Sequence, residues 1–176
     1  MIHTTLFKHV LQKYMNPIFV ETGTADGGGV HIAISVGFEK IFSIEIDQGK
    51  QLKNLERFRG REDVILITGD SSKELVRIIP MIDRKATFWL DAHLHRKKHG
   101  MKVRCPLYEE LDIIGTSQIK NHTIMIDDMR VIGKETWGKS LDMDEIISRI
   151  LDINTNYRIS FEENSESKND IMVATI

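Results

Sequence analysis

A chain of 176 residues with 41% apolar residues and a formal net charge of -2 is long enough to bury one core without staples, and it carries no bulk basicity that argues for a nucleic-acid partner. Its one cysteine, Cys105, excludes an internal disulfide framework and a multi-cysteine zinc site and suits a reducing compartment, so a cytoplasmic location is expected. No run approaches the roughly 18 apolar residues of a membrane span, and the opening "MIHTTLFKHVLQKYMNP" lacks the apolar block of a signal peptide, so no membrane association is expected.

Leu6, Val10, Leu11 and Tyr14 recur at helical spacing among Lys8, His9 and Lys13, and Pro17 closes the segment, which predicts a leading helix within residues 1–16. Short β-branched or aromatic runs then alternate with longer amphipathic segments. The runs are Ile18 to Gly23, Lys40 to Asp47, Asp63 to Asp70, Ala86 to His93 and Thr123 to Asp128, as expected of a parallel sheet covered on both faces. Helices are predicted between them over Gly28 to Val36, Gly49 to Phe58, Ser72 to Ile79 and Pro106 to Ile114, an alternation that reads as a doubly wound α/β sheet. Arg96 to Arg104, "RKKHGMKVR", is basic and without periodicity, and is expected to be a loop. One more helix is predicted near Met143 to Leu151. After it, "YRISFEEN" and "DIMVATI", joined by "SESKN", leave no room for a helix and read as an antiparallel hairpin.

In an open α/β sheet, ligands bind at the carboxyl ends of the strands, and the acids of this chain fall there. The first run ends in "FVETGTADGGGV", where Glu21 is followed by Gly23 and Gly27 and the next helix starts near Gly28. Glycines at such a turn let backbone approach a ligand, and the helix N-terminus offers free N–H groups. The spacing is not the G-x-G-x-x-G of dinucleotide binders. Glu45 ends the second run, where a carboxylate accepts hydrogen bonds from both hydroxyls of a ribose, which points to an adenosine-containing ligand. Asp70 and Ser71, in "GDSS", could reach an adenine; the alternatives are that Asp47 and Asp70 cap the following helices and that Glu45 is a solvated strand end.

The succession "FVETGTADGG", "SIEID", "LITGDSS", "FWLDAH", "IMIDD" resembles the class I S-adenosylmethionine-dependent methyltransferases. The E-x-G-x-x-x-G form given by Glu21, Gly23 and Gly27 is similar to the small metal-dependent O-methyltransferases of the catechol O-methyltransferase type. The resemblance runs from about residue 17 to the end. It implies a Rossmann-like doubly wound seven-stranded sheet in the order 3-2-1-4-5-7-6, mostly parallel with an antiparallel last strand and helices on both faces. One domain over residues 1–176 is expected: a leading helix, a cofactor-binding core at 17–128, and a C-terminal helix and hairpin at 129–176. By resemblance, Glu21, Gly23, Thr24 and Gly27 hold the methionine end of S-adenosylmethionine, Glu45 and Ile46 its ribose, and Asp70 and Ser71 its adenine, with Asp91 beside it.

Asp91 ends the fourth run and Asp127 and Asp128 end the fifth, so three carboxylates are expected on one rim. Such crowding needs compensation, which a hard divalent ion such as Mg²⁺ supplies through oxygen ligands. By resemblance, Asp91, Asp127 and Asp128 occupy the metal positions of these enzymes. The alternative is that Asp91 orients cofactor or substrate while Asp127 and Asp128 cap or pair with Arg130. Where the catechol enzymes carry a lysine this chain has Leu94, so a general base is sought in His93, with His95 as the alternative. A transition-metal site from His93, His95, His99 and Asp91 is a further reading of "HLHRKKH". Cys105 is taken as structural, Trp89 as core, and Trp137 as a wall of an acceptor pocket.

The expected activity is S-adenosylmethionine-dependent methyl transfer, an EC 2.1.1 reaction, to an oxygen of a small molecule or sugar that the basic run hints is anionic, assisted by Mg²⁺. The alternatives are another reaction on the same fold, as a hydrolase, lyase or hydroxylase, or binding without catalysis. A nucleic-acid amino-methyltransferase would carry an N/D-P-P-Y type motif, which "LDAH" is not. A monomer or homodimer is expected.

Overall fold

The computed structural model describes residues 4–93, 105–134 and 137–176. Seven strands form a single sheet in the order β3-β2-β1-β4-β5-β7-β6. They are β1 (Ile18–Thr22), β2 (Lys40–Glu45), β3 (Val64–Thr68), β4 (Ala86–Leu90), β5 (Thr123–Ile126), β6 (Arg158–Glu162) and β7 (Ile171–Thr175). β1 through β5 pair in parallel, and β7 runs antiparallel to both β5 and β6, so the terminal hairpin closes one edge.

The helices are α1 (Lys8–Lys13), α2 (Gly28–Val36), α3 (Gln48–Arg57), α4 (Ser71–Ile78), α5 (Leu107–Ile114) and α6 (Met143–Ile153). Strand periodicity divides the core into two layers. Ile18, Val20, Phe88, Leu90, Ile124 and Ile126 face Leu75 of α4, Leu111 of α5 and Ile146 of α6. Phe19, Trp89, Met125 and Val173 face Leu11 of α1 and Val30 and Ala33 of α2.

Element boundaries differ from expectation at the polar ends. The strands stop at Thr22, Glu45, Thr68, Leu90 and Ile126, so Gly23, Asp70, Asp91, Asp127 and Asp128 leave the sheet rather than pairing within it. The leading helix is shorter than the spacing predicts. Leu6 is buried in the core as expected, but Phe7 is extended at φ -84° and ψ 139°, and Thr5 is drawn away to a hydrogen bond with Asp127. The basic run Arg96 to Arg104, with Leu94, His95 and His99, lies outside the described residues. No helix among the described residues is long and apolar enough to cross a membrane.

Candidate functional site

β1 lies between β2 and β4, so the chain leaves the sheet to opposite sides at the carboxyl ends of β1 and β4 and opens a crevice there. The β1–α2 turn forms one lip. Gly23 adopts φ +89°, and a Cβ on it would stand 2.5 Å from the Asp91 carbonyl oxygen, so only glycine fits. Gly27 caps α2 in the left-handed region at φ 80°. Gly29 has a separate reason to be glycine: a Cβ there would overlap Oε1 of Glu21.

Glu21 is buried beneath this turn and accepts a hydrogen bond from the Ser43 hydroxyl at 2.5 Å, which in turn lies 2.6 Å from the Thr24 hydroxyl. Burial raises its carboxyl to about 8, and the neighbouring Glu45 adds to the rise. Glu21 therefore supports the turn from below. Glu45 clasps the turn from the next strand: its Oε2 accepts the Ala25 N–H at 2.8 Å and its Oε1 accepts the Asp47 N–H at 2.8 Å. A carboxylate has about four lone-pair sites, so two remain for ribose hydroxyls. Asn54 and Arg57 of α3 donate to the Ala25 and Asp26 carbonyls and fix the turn further.

Asp70 caps α4, its Oδ1 accepting from the Ser72 N–H at 3.1 Å and the Ser72 hydroxyl at 2.7 Å. Ser71 is buried at the start of that helix, and Ile46 follows the end of β2. Asp47 caps α3 in the same way through the Lys50 N–H.

The three aspartates after β4 and β5 do not share one ligand set. Among the described residues the metal-capable groups are Asp91 with His93 and Asp128, and Asp127 with Asp128 and Asp170. Asp127 is turned aside because its oxygens are held by the Thr5 hydroxyl at 2.5 Å and the Asn164 amide at 2.8 Å. Burial lifts its carboxyl to about 6. Asp128 has φ 62° and gives Oδ1 to the Arg130 guanidinium at 2.6 Å. Arg130 also binds Asp170 and Glu166, so this cation serves the carboxylates on the far side of Asp128. The pairing of Asp128 with Arg130 foreseen from sequence is present; the part played by Asp170, Asn164 and Thr5 was not foreseen, because nothing local in their surroundings marks them.

On the near side, His93 Nδ1 stands 3.5 Å from Asp91 Oδ1 and 3.6 Å from Asp128 Oδ2. Its ring is stacked on Trp137 with centroids 4.1 Å apart and planes 9° from parallel. Trp137 is buried, so the stack fixes the imidazole plane with its Nδ1 edge between the carboxylates. Burial, then the nearby Asp127 and Asp128 carboxylates, hold Asp91 well above the usual carboxylate range. Asp91, His93, Cys105, Glu110 and Trp137 line one narrow cleft. The Cys105 thiol donates to the Ala92 carbonyl at 3.4 Å and burial pushes it up to about 12, as befits a structural thiol. Glu110 of α5 was not expected at the site. Its side chain is buried beside the Ser71 and Thr22 hydroxyls, and burial raises it to about 7 against their pull.

No family model matches the sequence, and a search of curated proteins finds no match. Solved structures do match. A caffeoyl-CoA O-methyltransferase-like protein from Staphylococcus aureus is 14% identical with a TM-score of 0.61, over 96% of this chain and 79% of that one. An O-methyltransferase from Bacillus cereus in complex with S-adenosylhomocysteine is 13% identical with a TM-score of 0.59, over 96% and 78%. An rRNA-methylase-like protein from Clostridium thermocellum is 12% identical with a TM-score of 0.61, over 96% and 95%. These proteins and this chain share one fold, and it is the fold that the motif resemblance implied.

Proposed function

We propose, from the premise that this chain has the class I methyltransferase fold, that it is an S-adenosylmethionine-dependent O-methyltransferase of the EC 2.1.1 class. The observation that carries the reading is the crevice at the ends of β1 and β4, where the Gly23–Gly27 turn, Glu45 and Asp91 face one another. The residues fit the cofactor. The turn at Gly23 packs against the Asp91 backbone, and in this reading the crevice beside it takes the methionine carboxylate and amine near Thr24. Glu45 keeps acceptor capacity for a ribose, and Ser71 at the start of α4 offers its hydroxyl and N–H to an adenine.

S-adenosylmethionine supplies an electrophilic methyl group, and the protein's task is to align an acceptor with it and make that acceptor nucleophilic. The Asp91, His93 and Asp128 cluster suits the second task. An imidazole held between two carboxylates can take a hydroxyl proton, and the same donors could hold a divalent cation, Mg²⁺ being the one the resemblance implies, that would lower the hydroxyl's pKa. Asp127, engaged by Thr5 and Asn164, serves as support for Asp128 in this reading. The acceptor is a small molecule or sugar, and the basic run after β4 in the sequence favours an anionic one. We take the working unit to be a monomer or homodimer.

Calorimetry with S-adenosylhomocysteine tests the cofactor assignment: binding at micromolar concentration is expected, and none at high micromolar concentration would remove it. Incubation with S-adenosylmethionine and no acceptor tests the reaction class. Steady turnover to products other than S-adenosylhomocysteine would replace the transferase by a lyase or hydrolase of the same fold.

A further inference from the structure

We infer that Asp91, His93 and Asp128 form a mixed nitrogen–oxygen centre for a first-row transition ion of the Zn²⁺ or Co²⁺ kind, with His93 as a ligand. This deepens the methyltransferase reading and rests on it for the use of the ion, though not for its binding.

Two observations support it. First, His93 Nδ1 is almost equidistant from Asp91 Oδ1 and Asp128 Oδ2, at 3.5 and 3.6 Å, and is in normal hydrogen-bond range of neither. Ligand atoms on a tetrahedral ion with bonds of about 2.0–2.2 Å lie about 3.3–3.6 Å apart. Neighbouring oxygens on octahedral Mg²⁺, with bonds of about 2.0–2.1 Å, lie only about 3.0 Å apart. The two His93 separations match the tetrahedral edge, and all three donor atoms lie within 4.8 Å of one another. Second, each donor is held in place by something else. Asp91 N–H donates to the Thr22 carbonyl at 3.1 Å, Trp137 stacks on the His93 ring, and Arg130 occupies Asp128 Oδ1 so that Oδ2 alone faces the centre. Support of this kind is what tunes and orients metal ligands.

The ion class follows from the donors. Carboxylates alone suit Mg²⁺, whereas an imidazole shifts preference toward Zn²⁺, Co²⁺ and Fe²⁺. Arg130 already pairs with Asp128 Oδ1 and with Asp170, which leaves the His93 side as the place for a divalent ion. Three protein ligands leave a fourth position for an acceptor oxygen.

The test uses the whole protein stripped with a chelator and titrated with Co²⁺ alone. One equivalent should give intense visible d–d absorption of a four- or five-coordinate ion, Zn²⁺ should displace it, and Mg²⁺ at a hundredfold excess should not. His93→Gln should weaken Co²⁺ binding by more than about tenfold, while Asp127→Asn should keep the spectrum. Should either variant fold poorly, nitrogen hyperfine coupling to Cu²⁺ bound in the wild-type protein reads the imidazole directly, and its absence overturns the proposal. Displacement by Mg²⁺, or loss in Asp127→Asn with no change in His93→Gln, overturns it too. S-adenosylhomocysteine binding to the stripped protein separates the two ideas, since it reports the cofactor reading whether or not any metal binds.

Discussion

Gly23 and Asp91 meet backbone to backbone across the ends of β1 and β4, with the space for a Gly23 Cβ lying 2.5 Å from the Asp91 carbonyl oxygen. This contact ties the cofactor turn to the first acid of the candidate reaction centre. Neither can move without the other.

Gly23→Ala should therefore harm both at once. The left-handed φ of +89° alone costs about 1–3 kcal/mol for a residue with a side chain, and the clash adds to it. Urea unfolding should show that loss, and calorimetry should show weaker S-adenosylhomocysteine binding. A variant as stable as wild type would contradict the contact.

Glu45→Ala should weaken S-adenosylhomocysteine binding by about 1–3 kcal/mol, through loss of charge-assisted hydrogen bonds. Part of that loss comes from releasing the Ala25 and Asp47 N–H groups. Glu45→Gln, which keeps one acceptor oxygen, should lie between alanine and wild type; equal binding by all three proteins would dismiss the ribose role.

Glu21 makes the unliganded protein less stable as pH rises. Its carboxyl is held at about 8 in the folded chain, above its ordinary value of 4.5, so the fold binds that proton more tightly than the unfolded chain does. The resulting stability is full below about 4.5 and is lost as pH climbs toward 8. Glu21→Gln stays neutral, so its thermal midpoint should fall less than that of wild type between pH 5 and pH 8. Parallel slopes for the two proteins would show that Glu21 does not carry the effect.

Arg130→Met leaves Asp128, Asp170 and Glu166 without their shared cation. A loss of about 2–4 kcal/mol is expected at neutral pH, below the range for a fully buried pair because the Arg130 side chain is 34% exposed. The loss should be smaller at acid pH, because burial holds Asp128 above the ordinary carboxylate range. Chemical denaturation at both pH values measures this, and a loss that grows on acidification would count against it.

The sequence by itself determined the scaffold. Near-continuous apolar runs alternating with helical spacing predicted five parallel strands and a terminal hairpin, and the sheet has them, because a strand covered on both faces buries successive side chains. The placing of Glu21, Glu45, Asp91 and the Asp127–Asp128 pair at strand ends was equally legible, since the apolar runs break at those acids. What tertiary structure decided is where those acids point. Asp127 looks toward Thr5, 122 residues away, and toward Asn164, 37 residues away, rather than toward Asp91. Arg130 is shared with Asp170, 40 residues on, and His93 takes its orientation from Trp137. A carboxylate at a strand end has several rotamers of similar energy, and the choice among them falls to whichever donors the fold brings within 3 Å. Those donors come from remote segments with no periodic signal of their own, so the ligand set is a property of the packed chain.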